Sequence, residues 1–146
     1  MFEDEFLKVN MPLSAYPRLQ AAVVLCIDDN KDVLECEKLF LESFGYTVLT
    51  APSSGQGLEL ASICSIDVVI VDYLMPKMNG REFAIKMRRL RPQASIILLA
   101  EAVDVPEQML SMVDVLIAKD CLASELLPAI AQLHGCGWIP PPSYDA

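Results

Sequence analysis

Five short stretches of the sequence are uncharged and apolar at almost every position: residues 21–27, 46–50, 68–71, 96–99 and 115–117. A strand with one wet face alternates apolar and polar residues. Continuous runs of this length instead indicate strands covered on both sides, as in a parallel sheet held between helix layers. Longer amphipathic stretches with helix boundaries separate the runs. The expected architecture is therefore α/β and doubly wound, built from five β-α units around a five-stranded parallel sheet.

The intervening segments read as helices. In the first, Val33, Cys36, Phe40 and Phe44 recur at helical spacing, with Asn30 as an N-cap and Gly45 to close the end. Ser53 or Ser54 opens the second, which carries Leu58 and Ala61. Asn79 opens the third, with Phe83, Met87 and Leu90 turned inward and Pro92 beyond its end. The fourth begins near Asp104 and is short. The fifth carries Leu126, Ile130 and Leu133 and ends at Gly135, and Pro128 either lies in its first turn or kinks it. Residues 1–20, which mix Glu3, Asp4 and Glu5 with two prolines, are expected to form an N-terminal arm outside the domain at 21–134. Residues 135–146, with three consecutive prolines, are expected to be a flexible tail.

A chain of 146 residues that is 53% hydrophobic is long enough and apolar enough for one sizeable core. Its net charge of −9 argues against a self-contained nucleic-acid binder, which needs a basic face to neutralise phosphates. No apolar run approaches the roughly 18 residues of a membrane span, and the N-terminus is acidic where a secretory signal is basic. A cytoplasmic protein is expected. Cys26, Cys36, Cys64, Cys121 and Cys136 form no CxxC pair, so they are expected to be reduced and mostly buried thiols, not zinc ligands or a redox couple.

Ligands of open parallel sheets bind outside the carboxyl ends of the strands. The residues just past the runs are Asp28 and Asp29, Asp72, Ala100 and Lys119. Three carboxylates converging from two strands repel one another unless a cation lies among them, and an all-oxygen donor set with few protein ligands suits Mg²⁺. A carboxylate beside that cation and a lysine is a competent nucleophile toward phosphorus, because both positive charges offset charge on the transferring phosphoryl group. Asp72 is then the candidate acceptor of an aspartyl phosphate.

At these residues the sequence resembles the receiver domains of bacterial two-component response regulators. The resemblance rests on Ile27-Asp28-Asp29-Asn30, on Asp72-Tyr73-Leu74-Met75-Pro76-Lys77-Met78-Asn79-Gly80 and on Lys119, and covers about residues 21–134. It implies a flavodoxin-like fold with strand order 2-1-3-4-5, two helices on one face and three on the other. It implies phosphorylation of Asp72 by a histidine kinase, a histidine phosphotransfer protein or a small phosphodonor. By the same resemblance Asp29, Asp72 and the Leu74 carbonyl are direct Mg²⁺ ligands, Asp28 is an outer ligand through water, and Lys119 contacts the phosphoryl group. The chain is expected to act as a single-domain switch on an unidentified protein target, not as an enzyme, without direct DNA or membrane contact.

Two positions depart from the family pattern. Where a Ser or Thr usually ends the fourth strand, this sequence has Ala100, or Leu99 if the register is one residue earlier, and neither carries a hydroxyl. The aromatic switch position of the fifth strand falls on Leu116. Asp120 follows Lys119 where many receivers have proline, so no cis peptide is expected there. The segment between Ala100 and Lys119 is also shorter than usual. A weakened switch is expected. One competing reading is a phosphorylation-independent adaptor, favoured by the two departures and opposed by the complete acidic set with Lys119. Another is a phosphatase of the haloacid dehalogenase type, which resembles its relatives in a second Asp two residues after the first, where Leu74 stands here. Gly55-Gln56-Gly57 lacks the third glycine of a dinucleotide loop and reads as glycine usage at a helix start. His134, the only histidine, reads as a helix-end residue favoured by the dipole.

Overall fold

The computed structural model describes residues 22–75, 79–101 and 105–134. Strands β1 (Val23–Ile27), β2 (Thr47–Ala51), β3 (Val68–Asp72), β4 (Ser95–Ala100) and β5 (Val115–Ala118) form one parallel sheet in the order β2-β1-β3-β4-β5. Between them run helices α1 (Lys31–Glu42), α2 (Ser54–Ile63), α3 (Gly80–Leu90), α4 (Glu107–Leu110) and α5 (Leu122–His134). Each apolar run is a strand, with ends shifted by one or two residues.

Successive strand side chains point to opposite faces, and the two faces carry separate cores. Val24, Cys26, Ile70, Ile97 and Ile117 pack under α1 and α5 through Leu34, Leu41, Leu126 and Ile130. Leu25, Ile27, Val69, Val71 and Ile96 pack under the other three helices through Ala61, Phe83, Met87 and Met109. The helix layers therefore divide two against three, as the resemblance implied.

Local signals set the helix starts. Asn30 accepts from the amides of Asp32 and Val33, and Asn79 accepts from that of Glu82. Ser53, not Ser54, caps α2 by accepting from the Gln56 amide. Gly45 takes φ 92° in the turn after α1, a left-handed conformation that suits glycine. Gly57 is more than a helix-start glycine: a Cβ there would collide with the buried Ile27 side chain, so its absence lets α2 lie close against the end of β1.

Several expectations need correction. The buried stripe of α1 is Leu34, Glu37 and Leu41, one residue out of phase with Val33, Cys36, Phe40 and Phe44. Phe40 and Phe44 stay exposed and pack edge to face with each other at 5.4 Å. Leu90 at the end of α3 is exposed, not inward. Of the two places left open for Pro128, it takes the interior of α5 and not the first turn. Its missing N–H leaves the Ser124 carbonyl without an i+4 donor, on a face where both residues meet solvent. Of the cysteines described, only Cys26 is buried, while Cys36 is exposed and Cys64 and Cys121 are half-buried. The expected arm, the tail with Gly135 and Cys136, Pro76, Asp104 and the His134 side chain lie outside the described residues.

The amino-terminal edge of the sheet is tied by two carboxylates. Asp67 accepts from the Val23 amide at 2.8 Å, while its own carbonyl accepts from Ser95 at 3.0 Å. Asp114 accepts from the Ile96 amide at 2.7 Å and from Arg88 of α3 at 2.9 Å.

Candidate functional site

Strand parity decides what gathers at the opposite, carboxyl edge. Cys26, Ile70, Ile97 and Ile117 face α1 and α5, so residues two positions on, namely Asp28, Asp72, Leu99 and Lys119, emerge on the same side. All four line one cavity of about 280 Å³, together with Asp29, Asn30 and Glu37. Single oxygens of Asp28, Asp29 and Asp72 lie within 4.8 Å of one another, a spacing that one cation can bridge. Asp28 and Asp72 are each only 4% exposed, whereas Asp29 is open to solvent.

The carboxylates are held by their own chain. An oxygen of Asp28 accepts from the Asn30 amide at 2.9 Å, and Asp72 Oδ1 accepts from the Leu74 amide at 3.2 Å. Lys119 Nζ lies 3.0 Å from each oxygen of Asp72. Lys119 opens a 3-10 turn (Lys119–Cys121) directly after β5, and the peptide that follows it is trans. The Leu74 side chain is exposed.

Burial pushes the Asp28 carboxyl above the usual carboxylate range; the Asn30 hydrogen bond opposes this and the Asp72 charge adds to it. For Lys119 burial disfavours the charge, yet the hydrogen bond and charge of Asp72, with Asp28 and Glu101, hold its ammonium above the ordinary lysine value. Both groups are shifted upward, as expected in an acidic cleft short of positive charge.

Glu37 was missed in the sequence. It is 6% exposed, sits on the buried stripe of α1 and closes the cavity from that side. Burial pushes its carboxyl up to about 7; a hydrogen bond with the Cys26 thiol works against this, and the charges of Asp28 and Asp72 work with it. The available signal was its spacing of i+3 from Leu34 and i−4 from Leu41.

Of the two register alternatives on β4, Leu99 lines the cavity and Ala100 does not. Leu99 also pairs with Asp72 across the strands, and its carbonyl accepts from the Tyr73 amide at 2.8 Å. Leu116 is 42% exposed on β5, away from the cleft.

The response regulator receiver domain model matches residues 24–131. The transcriptional regulatory protein GlrR of Escherichia coli (strain K12) is 31% identical over 86 residues, 59% of this chain and 19% of its own length. The chain thus spans about a fifth of that relative. Among solved structures, a response regulator receiver domain protein from Clostridium thermocellum is similar at TM-score 0.70 and 34% identity, covering 78% of this chain and 94% of that one. The response regulator protein TrrA of Thermotoga maritima, solved in complex with Mg²⁺-BeF, is similar at TM-score 0.69 and 28% identity, covering 77% and 98%. Among the described residues no helix is long and apolar enough to cross a membrane. A family match over most of the chain, on a shared fold, means that this protein belongs to the response regulator receiver domains of two-component signal transduction.

Proposed function

We propose that Asp72 is the phosphoacceptor of a Mg²⁺-dependent transfer from a histidine kinase, a histidine phosphotransfer protein or a small phosphodonor. The observation that carries this reading is the pair of 3.0 Å contacts from Lys119 to both oxygens of Asp72, at the floor of a three-carboxylate cleft. The donor set fits a hard cation: Asp29, Asp72 and the Leu74 carbonyl would hold it directly and Asp28 through water. TrrA, bound to Mg²⁺-BeF, supports the same choice of metal. Bound there, Mg²⁺ supplies positive charge to the phosphoryl oxygens.

The protein's own groups do the rest. Lys119 engages both Asp72 oxygens before reaction, so one oxygen must be released to attack phosphorus. The donor's bond to phosphorus breaks as the new O–P bond forms, and the leaving group departs with that electron pair. Lys119 then neutralises charge on the phosphoryl group. The module is a switch, not an enzyme in the usual sense, and its output is protein contact. An overall charge of −9 disfavours DNA contact by this chain itself.

The switch is weak. With Leu99 at the cleft, one charge-assisted hydrogen bond to the phosphoryl group is lost, worth about 1.5–3 kcal/mol. Moving an equilibrium from 1:99 to 99:1 takes about 5.5 kcal/mol, so this loss removes much of the conformational bias while leaving the chemistry intact. The same leucine and the exposed Leu116 favour the adaptor reading, which the intact acid-lysine set opposes. Treatment with acetyl phosphate, with and without Mg²⁺, decides between them by intact-protein mass. One added phosphoryl group is expected with Mg²⁺, and none in Asp72→Asn. Equal labelling of both proteins, or of neither, sinks the assignment.

A further inference from the structure

A second, larger cavity adjoins the acidic cleft. It is an open groove of about 490 Å³ between α1 and the start of α5, a volume in the range of small-molecule sites. The two cavities share Val33, Glu37, Lys119 and Leu122 as a common wall. Beyond that wall the groove is lined chiefly by apolar groups, with Phe40 on one side and Ala123 and Leu126 on the other. Asp32 and Asp120 stand at its rim.

We propose that this groove is a subsite for the apolar body of a phosphodonor's leaving group, so that neutral-bodied acyl phosphates with an apolar acyl group are preferred donors. The inference rests on the reading of Asp72 as the phosphoacceptor. An in-line displacement puts the leaving oxygen on the far side of phosphorus from Asp72. Asp72 is buried at the cleft floor, so the leaving group points away from the floor, along the wall of Val33, Lys119 and Leu122 that the cleft shares with the groove. In the balanced reaction an acyl phosphate and the Asp72 carboxylate give the aspartyl phosphate and the free acyl carboxylate. The O–P bond to Asp72 forms as the acyl O–P bond breaks, and the electron pair stays on the departing oxygen. Lys119, common to both cavities, lies beside that developing charge, and the acyl body lies against Val33, Phe40 and Leu122. Among the described residues three carboxyls, Asp32, Glu37 and Asp120, face this groove against one ammonium, Lys119, so an anionic body is repelled and an uncharged apolar one is retained.

The test compares acetyl phosphate with benzoyl phosphate at equal concentration with Mg²⁺. Initial labelling rates are read by intact mass and corrected for each donor's hydrolysis in buffer. Benzoyl phosphate is expected to label on the order of tenfold faster, as burial of its ring implies. Ala123→Trp, at an exposed helix position, fills the groove and should erase that preference while leaving the acetyl phosphate rate within about twofold. Phe40→Ala, which removes one wall without adding bulk, should reduce the preference. Absence of the preference in the parent protein, or its survival in Ala123→Trp, overturns the subsite while acetyl phosphate labelling leaves the Asp72 reading standing. Failure of both donors to label overturns that reading and the subsite with it.

Discussion

The carboxyl edge of the sheet has two unlike halves. At β1 and β3 it carries Asp28, Asp29 and Asp72, and amides of their own loops donate to Asp28 and Asp72. At β4 and β5 it carries Leu99, an exposed Leu116 and a helix of only four residues. Among the described residues, Lys119 is the charged side chain that reaches from the second half to Asp72. Capture of a phosphoryl group requires charge at fixed distances, which two adjacent strands supply. Response requires an interaction that differs between two states, and the second half offers few polar atoms with which to make one.

The largest expected effect tests whether the acidic half is a metal site at all. Asp29→Ala should lower Mg²⁺ affinity by on the order of 100-fold and abolish labelling by acetyl phosphate, measured by calorimetry and intact mass. Unchanged affinity would remove Asp29 from the ligands and leave the contrast between the halves without its chemical basis.

The next effect concerns what the acidic half costs the fold. The Glu37 carboxyl is raised from 4.5 to about 7 in the folded protein. Below pH 4.5 it is protonated folded and unfolded, with no penalty. Between 4.5 and 7 the folded state holds the proton that the unfolded chain has lost, so stability falls as pH rises, by up to about 3 kcal/mol, and stays lower above 7. In metal-free protein, Glu37→Leu should therefore be the more stable form at pH 8 and should flatten the urea-midpoint profile across that window. A profile identical to that of the parent protein would show that Glu37 ionises freely and that its burial costs nothing.

The smallest effect probes the apolar half. Leu99→Thr restores a hydroxyl at the cavity wall and adds at most the 1.5–3 kcal/mol of one charge-assisted bond. With a beryllofluoride mimic of the phosphoryl group, amide exchange across residues 105–120 should change more in Leu99→Thr than in the parent, and Ala100→Thr should behave like the parent. A large change already present in the parent would show that the β4–β5 half responds without the hydroxyl.

The parts of this fold legible in the sequence are those governed by burial on both sides or by loop chemistry. Five runs with few polar residues became five strands, and Asn30 and Asn79 cap helices where they stand. The acidic cluster was visible because charged residues directly after apolar runs are conspicuous. The phase of α1 was not legible, because Val33, Leu34, Cys36, Leu39, Phe40 and Leu41 offer two apolar stripes one residue apart. Choosing the stripe with the aromatics hid Glu37, the one carboxyl on the buried face of that helix. The close approach at Gly57 depends on a side chain from another element, Ile27, and left no local mark. Which of Leu99 and Ala100 lies opposite Asp72 depends on strand pairing, a non-local contact, and the pairing puts Leu99 there.

The two carboxylates at the amino-terminal edge have a consequence for movement. Asp67 joins the starts of β1, β3 and β4, and Asp114 joins the starts of β4 and β5 to α3 through Arg88. Four of the five strands are thus riveted together at one end, like the sticks of a folding fan. Strand pairing itself continues to Asp72 and Leu99, so these extra ties make the amino-terminal end the stiffer one, and whatever freedom the strands keep lies toward the tips where Asp72 and Lys119 meet.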